Sequence, residues 1–171
     1  MAALQPHLLM LAAYNRWANR RLYAAAAALA DDQYRRDVGV YFKSVHGTLN
    51  HLLTADRIWM HRLQGTGEQP RALDVILFED LAALAAARAI EDERIMGFVA
   101  ALTAAALDAQ CEYRTLNGTP QRQPVREILA HLFNHQTHHR GHAHAALTRL
   151  GIPEPPSLDL LIMQRELAHR P

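Results

Sequence analysis

The chain has 171 residues, half of them hydrophobic, which is enough for one domain with a real core and too short for two comfortable ones. Eighteen basic residues against 17 acidic ones leave no excess charge to hold a nucleic-acid backbone. A lone cysteine, Cys111, excludes an internal disulfide, and His7, Asn15, Arg16 and Arg20 break up the apolar run near the amino terminus before it can serve as a signal or membrane segment. These features predict a cytoplasmic, single-domain protein over 1–171 with no nucleic-acid or membrane partner.

The first predicted element is a helix over 4–30, where Leu8, Leu11, Ala18, Leu22, Ala25 and Leu29 recur at three-four spacing before Asp31 and Asp32. A second helix starts at Ser44, a suitable N-cap, and runs to Leu63 ahead of the glycines at 65 and 67. The connection from Gly65 to Leu77 is the longest excursion of the chain. A third helix spans 78–107, with Leu84, Ile95, Phe98 and Leu102 on one stripe and Arg88 and Glu91 interrupting it, as a solvated edge or as a pair. The segment 111–123 reads as a small hairpin around Asn117-Gly118. A fourth helix opens with Pro124 in its first turn and runs to Leu150, with Gly151 as its C-cap, and 157–168 forms a short packed helix. The predicted fold is all-α, an up-down four-helix bundle.

Eleven histidines is a high number for this length, and six of them fall at 131–144 on the fourth helix. His135 and His139 are one turn apart on one face, so both imidazoles can reach a single ion. Ile128, Leu132 and Ala146 share that side, which predicts that the pair points into the bundle. A buried imidazole without a partner costs about 1–3 kcal/mol, and a metal ion removes that cost. On the second helix, His51 is the one histidine on the face of small and apolar residues formed by Ser44, Gly47, Thr48, Ala55 and Ile58. His46 and His61 fall off that face and read as solvent or interface residues. Asp56 and Arg57 read as surface charge beside one packed aromatic, Trp59.

The stretch SVHGTLNHLLTADRIWMHRL at 44–63 and HLFNHQTHHRGH at 131–142 resemble the DinB or YfiT family of metal-dependent proteins. YNRWANRRL at 14–22, NGTP at 117–120 and SLDLLIMQRE at 157–166 extend the resemblance along the whole chain. It implies a four-helix bundle that forms homodimers and carries a three-histidine site for a divalent metal ion, nickel or zinc, with His51, His135 and His139 as ligands. Where many members read HRGQ this chain reads HRGH, so His142 replaces a glutamine. His142, one turn beyond His139, reads as a fourth ligand, a proton shuttle or a hydrogen-bonding support for the ligands, and His131, one turn before His135, as a support or a packed residue, with both as candidates for proton handling, whereas His138 faces outward. Tyr14, Asn15 and Trp17 line a pocket mouth or serve as packing.

Three neutral imidazoles leave an ion its full charge and an open position. The resemblance favours using that charge on a low-molecular-weight thiol such as bacillithiol, mycothiol or glutathione, in an S-transferase or isomerase acting on a small electrophile. The alternatives are a metal-dependent hydrolase and a non-enzymatic metal-binding stress-response protein. No carboxylate stands beside the ligands as in HExxH enzymes, and Cys111 reads as an incidental residue.

Overall fold

The computed structural model describes residues 4–169. Its elements in chain order are α1 (Leu4–Ala26), α2 (Asp31–Arg35), α3 (Val45–Gln64), α4 (Leu81–Ala101), α5 (Ala104–Asp108), β1 (Gln110–Arg114), β2 (Pro120–Pro124), α6 (Val125–Arg149) and α7 (Leu160–Ala168). No helix among the described residues is long and apolar enough to cross a membrane.

Local chemistry explains most of the boundaries. Ser44 Oγ accepts the Gly47 N–H at 3.0 Å and caps α3. At the end of α6, Gly151 takes a left-handed φ of 89°, its N–H bonds Thr148 and that of Ile152 bonds Leu147, a Schellman ending. The helix expected over 78–107 is instead two. Leu102 turns extended, and the Thr103 hydroxyl, accepting the Ala106 N–H, starts α5 afresh. The first helix stops at Ala26 rather than Ala30, and Pro124 caps α6 instead of occupying its first turn. The hairpin is present, with β1 and β2 antiparallel and Gly118 at φ 86° in the turn.

Four long helices make the core, with α1 and α3 each packed against both α4 and α6. One apolar cluster joins Leu22, Leu49, Leu52, Leu84 and Leu147, and a second joins Leu8, Met60, Ile95, Leu129 and Phe133. Along α1 and α6 the chain passes from the second cluster to the first, and along α3 and α4 from the first to the second. The directions are therefore up, down, down, up, not the strict alternation expected. The cause is the 65–80 connector, which runs back along α3: His61 meets the Gly67 carbonyl, Thr54 that of Val75, and Asn50 bonds the backbone of Leu77 and Phe78.

Between the two clusters lies a polar layer to which all four long helices contribute. Arg88 pairs with Asp56 at 2.7 Å and Asp92 at 3.1 Å, Asn15 and Asn19 donate to Asp92, and Arg140 donates to Asn15. This corrects the solvated edge expected at Arg88 and the surface role expected of Asp56, since they are 2% and 1% exposed. Glu91 is buried too and pairs with Arg94. His46 likewise is buried, bonded to the Phe78 carbonyl and packed on Tyr34. The connector covers the side of α3 that a single-stripe reading leaves in water.

Candidate metal centre

The site lies on the seam between α3 and α6. At this level Gln136 and Arg140 take the bundle interior, Gln136 donating to the Leu52 carbonyl. His135 and His139 consequently turn toward α3, into the bundle at the seam between the two helices, with His139 buried and His135 half-buried. His51 meets them from α3, with its Nε2 3.2 Å from His135 Nε2. Ring centroids of His139 stand 4.4 Å from those of both His51 and His135. Each of the three offers a nitrogen, and these nitrogens all fall within 4.8 Å of one another.

Two features outside the histidines shape the cluster. His51 Nδ1 bonds the Leu73 carbonyl at 2.8 Å, which only an N–H can do, so the proton sits on Nδ1 and the Nε2 lone pair faces the other rings. The Phe42 ring stacks on His51 at 3.7 Å between centroids and lies 5.5 Å from His139. Phe42 comes from the turn before α3, which Lys43 closes in a left-handed conformation, φ 68°. Gly47 makes room for it, because a methyl there would collide with the Phe42 carbonyl.

Burial holds His135 down to about 3 and His139 to about 4, with neighbouring imidazoles adding to both shifts, and burial also lowers His51. All three are neutral at neutral pH, the ligating form. The arrangement fits a cation in two further respects. His139 Nδ1 is shut off from solvent with no hydrogen-bond partner among the described residues. Nitrogens about 2.0–2.1 Å from a tetrahedral ion stand about 3.4 Å apart, near the separation found between His51 and His135.

The surrounding candidates divide. His142 is half-buried with its Nδ1 unpartnered, and forms with His138 and His139 a second group of nitrogens close enough for an ion. His138 is exposed, as expected. His131 packs its ring on Trp59 at 5.1 Å and lies 5.6 Å from His135. Of the three aromatic-and-amide candidates on α1, Tyr14 lines a cavity beside Thr137 and Arg140 and donates to the Leu158 carbonyl, Asn15 joins the polar layer and Trp17 donates to Glu166. Leu73 could not be found from the sequence, because its contribution is a backbone carbonyl. Phe42 left one faint trace, an aromatic two residues ahead of an N-cap with a glycine three residues after it.

A helical protein with buried, neutral imidazoles converging from two helices belongs to the class that can hold a divalent ion on histidine alone. The family is shown directly: the DinB family model matches residues 4–167, and the chain belongs to the DinB family. Protein DinB of Bacillus subtilis (strain 168) is 25% identical over 153 residues, covering 84% of this chain and 86% of that protein. The crystal structure of a DinB-like protein from Bacillus cereus ATCC 10987 superposes with a TM-score of 0.63 at 16% identity, covering 82% of this chain and 89% of that one. That likeness carries the fold.

Proposed function

We propose that this protein is a metal-dependent enzyme that holds one divalent ion, nickel or zinc, at His51, His135 and His139 and uses it to activate a small thiol for attack on an electrophile. The observation carrying this reading is a cluster of three imidazoles joined by no carboxylate among the described residues. A bound ion there supplies positive charge that favours thiolate over thiol.

The chain's own residues do the rest. The Leu73 carbonyl fixes the tautomer of His51, and Phe42 shields His51 and His139 from water. His131 and His142 flank the ligands and are the groups available to move protons. Cys111 is no nucleophile: its Sγ donates to the Arg62 carbonyl and burial raises its thiol pKa. The sulfur therefore comes from outside. The reading includes a twofold homodimer, which light scattering checks.

The test loads the protein with cobalt or nickel and adds glutathione, bacillithiol or mycothiol in turn. A sulfur-to-metal charge-transfer band with one thiol, lost in His139→Ala together with thiol-dependent turnover, is the expected result. No band with any thiol, alongside hydrolysis of an ester or amide, replaces this reading with the hydrolase.

A further inference from the structure

Near the end of α3 the Arg62 guanidinium lies beside two aromatic rings that meet edge to face, 4.6 Å from the Trp59 ring centroid and 4.8 Å from that of Tyr113. Its Nε is buried with no hydrogen-bond partner, and it reaches no carboxylate among the described residues. Nearby arginines are matched: Arg57 pairs with Glu68 and Arg94 with Glu91. Contact with the two rings leaves the N–H groups of Arg62 as its means of binding anything else.

Arg62 borders a cavity of about 510 Å³ that extends to His135. Ile58, Trp59, Leu73 and Leu116 give it apolar walls, and His131 lines it too, its ring 5.6 Å from that of His135. A cation beside apolar walls without a counter-charge is unfavourable, and an anion bound in the fork of the guanidinium offsets that cost with short, charge-assisted hydrogen bonds. One guanidinium matches one negative charge. A phosphate monoester carries close to two at neutral pH, whereas a carboxylate carries one in the planar shape the fork accepts.

We propose that this cavity binds a small carboxylate-bearing ligand with an apolar body, its carboxylate on Arg62 and its other end directed at the histidine cluster. The ligand's being a substrate rests on the metal-dependent reading above, but its binding does not. The hairpin thereby gains a purpose, since its turn supplies Thr115, Leu116 and Asn117 to the cavity wall.

The test uses the full chain carrying Trp17→Phe, which leaves Trp59 as the one tryptophan of two and its fluorescence as the signal. Hydrocinnamate, hydrocinnamamide and phenyl phosphate are titrated against zinc-loaded and chelated protein, with metal content measured in each. The expected result is saturable quenching by hydrocinnamate at least about tenfold tighter than by the amide or the phosphate, in both samples. Arg62→Gln should bring the acid down to the level of the amide, and Arg62→Lys should keep part of the preference, with circular dichroism confirming the fold of each. Equal binding of acid and amide, tighter binding of the phosphate, no quenching at millimolar acid, or undiminished acid binding by Arg62→Gln each overturns the proposal. Arg62-dependent binding in a protein that takes up no metal would sink the metal-dependent reading and leave this one standing. Metal uptake with no preference for the acid would do the reverse.

Discussion

The Nε2 atoms of His51 and His135 approach to 3.2 Å across the α3–α6 seam, although the one proton His51 carries when neutral is held at Nδ1 by the Leu73 carbonyl. Without an ion, His135 must therefore place its own proton on Nε2 to make that contact favourable. An ion held by both lone pairs would leave His135 its proton at Nδ1. Binding would thus change the tautomer of one ring and leave that of the other alone.

The metal stoichiometry follows from this geometry. About one divalent ion per chain is expected. His51→Ala, His135→Ala and His139→Ala should each lose stoichiometric binding, while His46→Ala and His61→Ala keep it. Elemental analysis of the purified variants decides the matter, and full retention by His51→Ala would remove that residue from the site.

Metal removal should leave the fold standing. Two apolar clusters lie on either side of the polar layer, and neither contains a candidate ligand. Chelation is expected to preserve the far-UV circular dichroism and to lower the melting temperature, because an ion at 100 times its Kd stabilises the folded state by about 2.7 kcal/mol. Loss of helicity on chelation would instead make the site structural.

Two glycines in helices should respond oppositely to alanine. At Gly47 the new methyl collides with the Phe42 carbonyl, so the turn that lays Phe42 on His51 must move. Gly47→Ala is expected to cost about 1–3 kcal/mol and weaken metal binding. Gly97 on α4 is exposed, with nothing within 4 Å of an added methyl, and Gly97→Ala should stabilise by about 0.5–1 kcal/mol without touching the metal. Urea titration with parallel metal assays reads both effects.

The polar layer should be intolerant of partial removal. Asp56→Ala leaves Arg88 buried with Asp92 as its remaining paired acid and is expected to cost about 3–5 kcal/mol in denaturant unfolding. A change below about 1 kcal/mol would mean that water enters the layer and solvates the guanidinium.

The histidines were legible because their signal is local. Spacing alone sets His135 and His139 on one turn, and small neighbours single out His51 on α3. The Ser44 cap, the Gly151 ending and the Asn117-Gly118 turn were legible for the same reason. What stayed hidden depends on the path of the 65–80 connector, which no periodicity encodes. By lying along α3 it buries His46 and covers a flank that the pattern assigns to solvent, and by returning the chain to its starting end it makes α4 parallel to α3. Asp56 and Arg88 were misread for a related reason: a charge on a helix implies solvent until its partner on another helix is known.

The bond from His51 to the Leu73 carbonyl has a consequence for how this site tolerates change. A main-chain oxygen orients the ring, so the identity of residue 73 is nearly free as far as His51 is concerned, and what must be conserved is the distance along the chain at which that oxygen arrives. Asn50, gripping Leu77 and Phe78, fixes one end of the span, and His61, bonded to Gly67, fixes the other. Inserting or deleting a single residue between these anchors would disturb the site more than most substitutions within it. The connector acts as a ruler whose markings are its length rather than its letters.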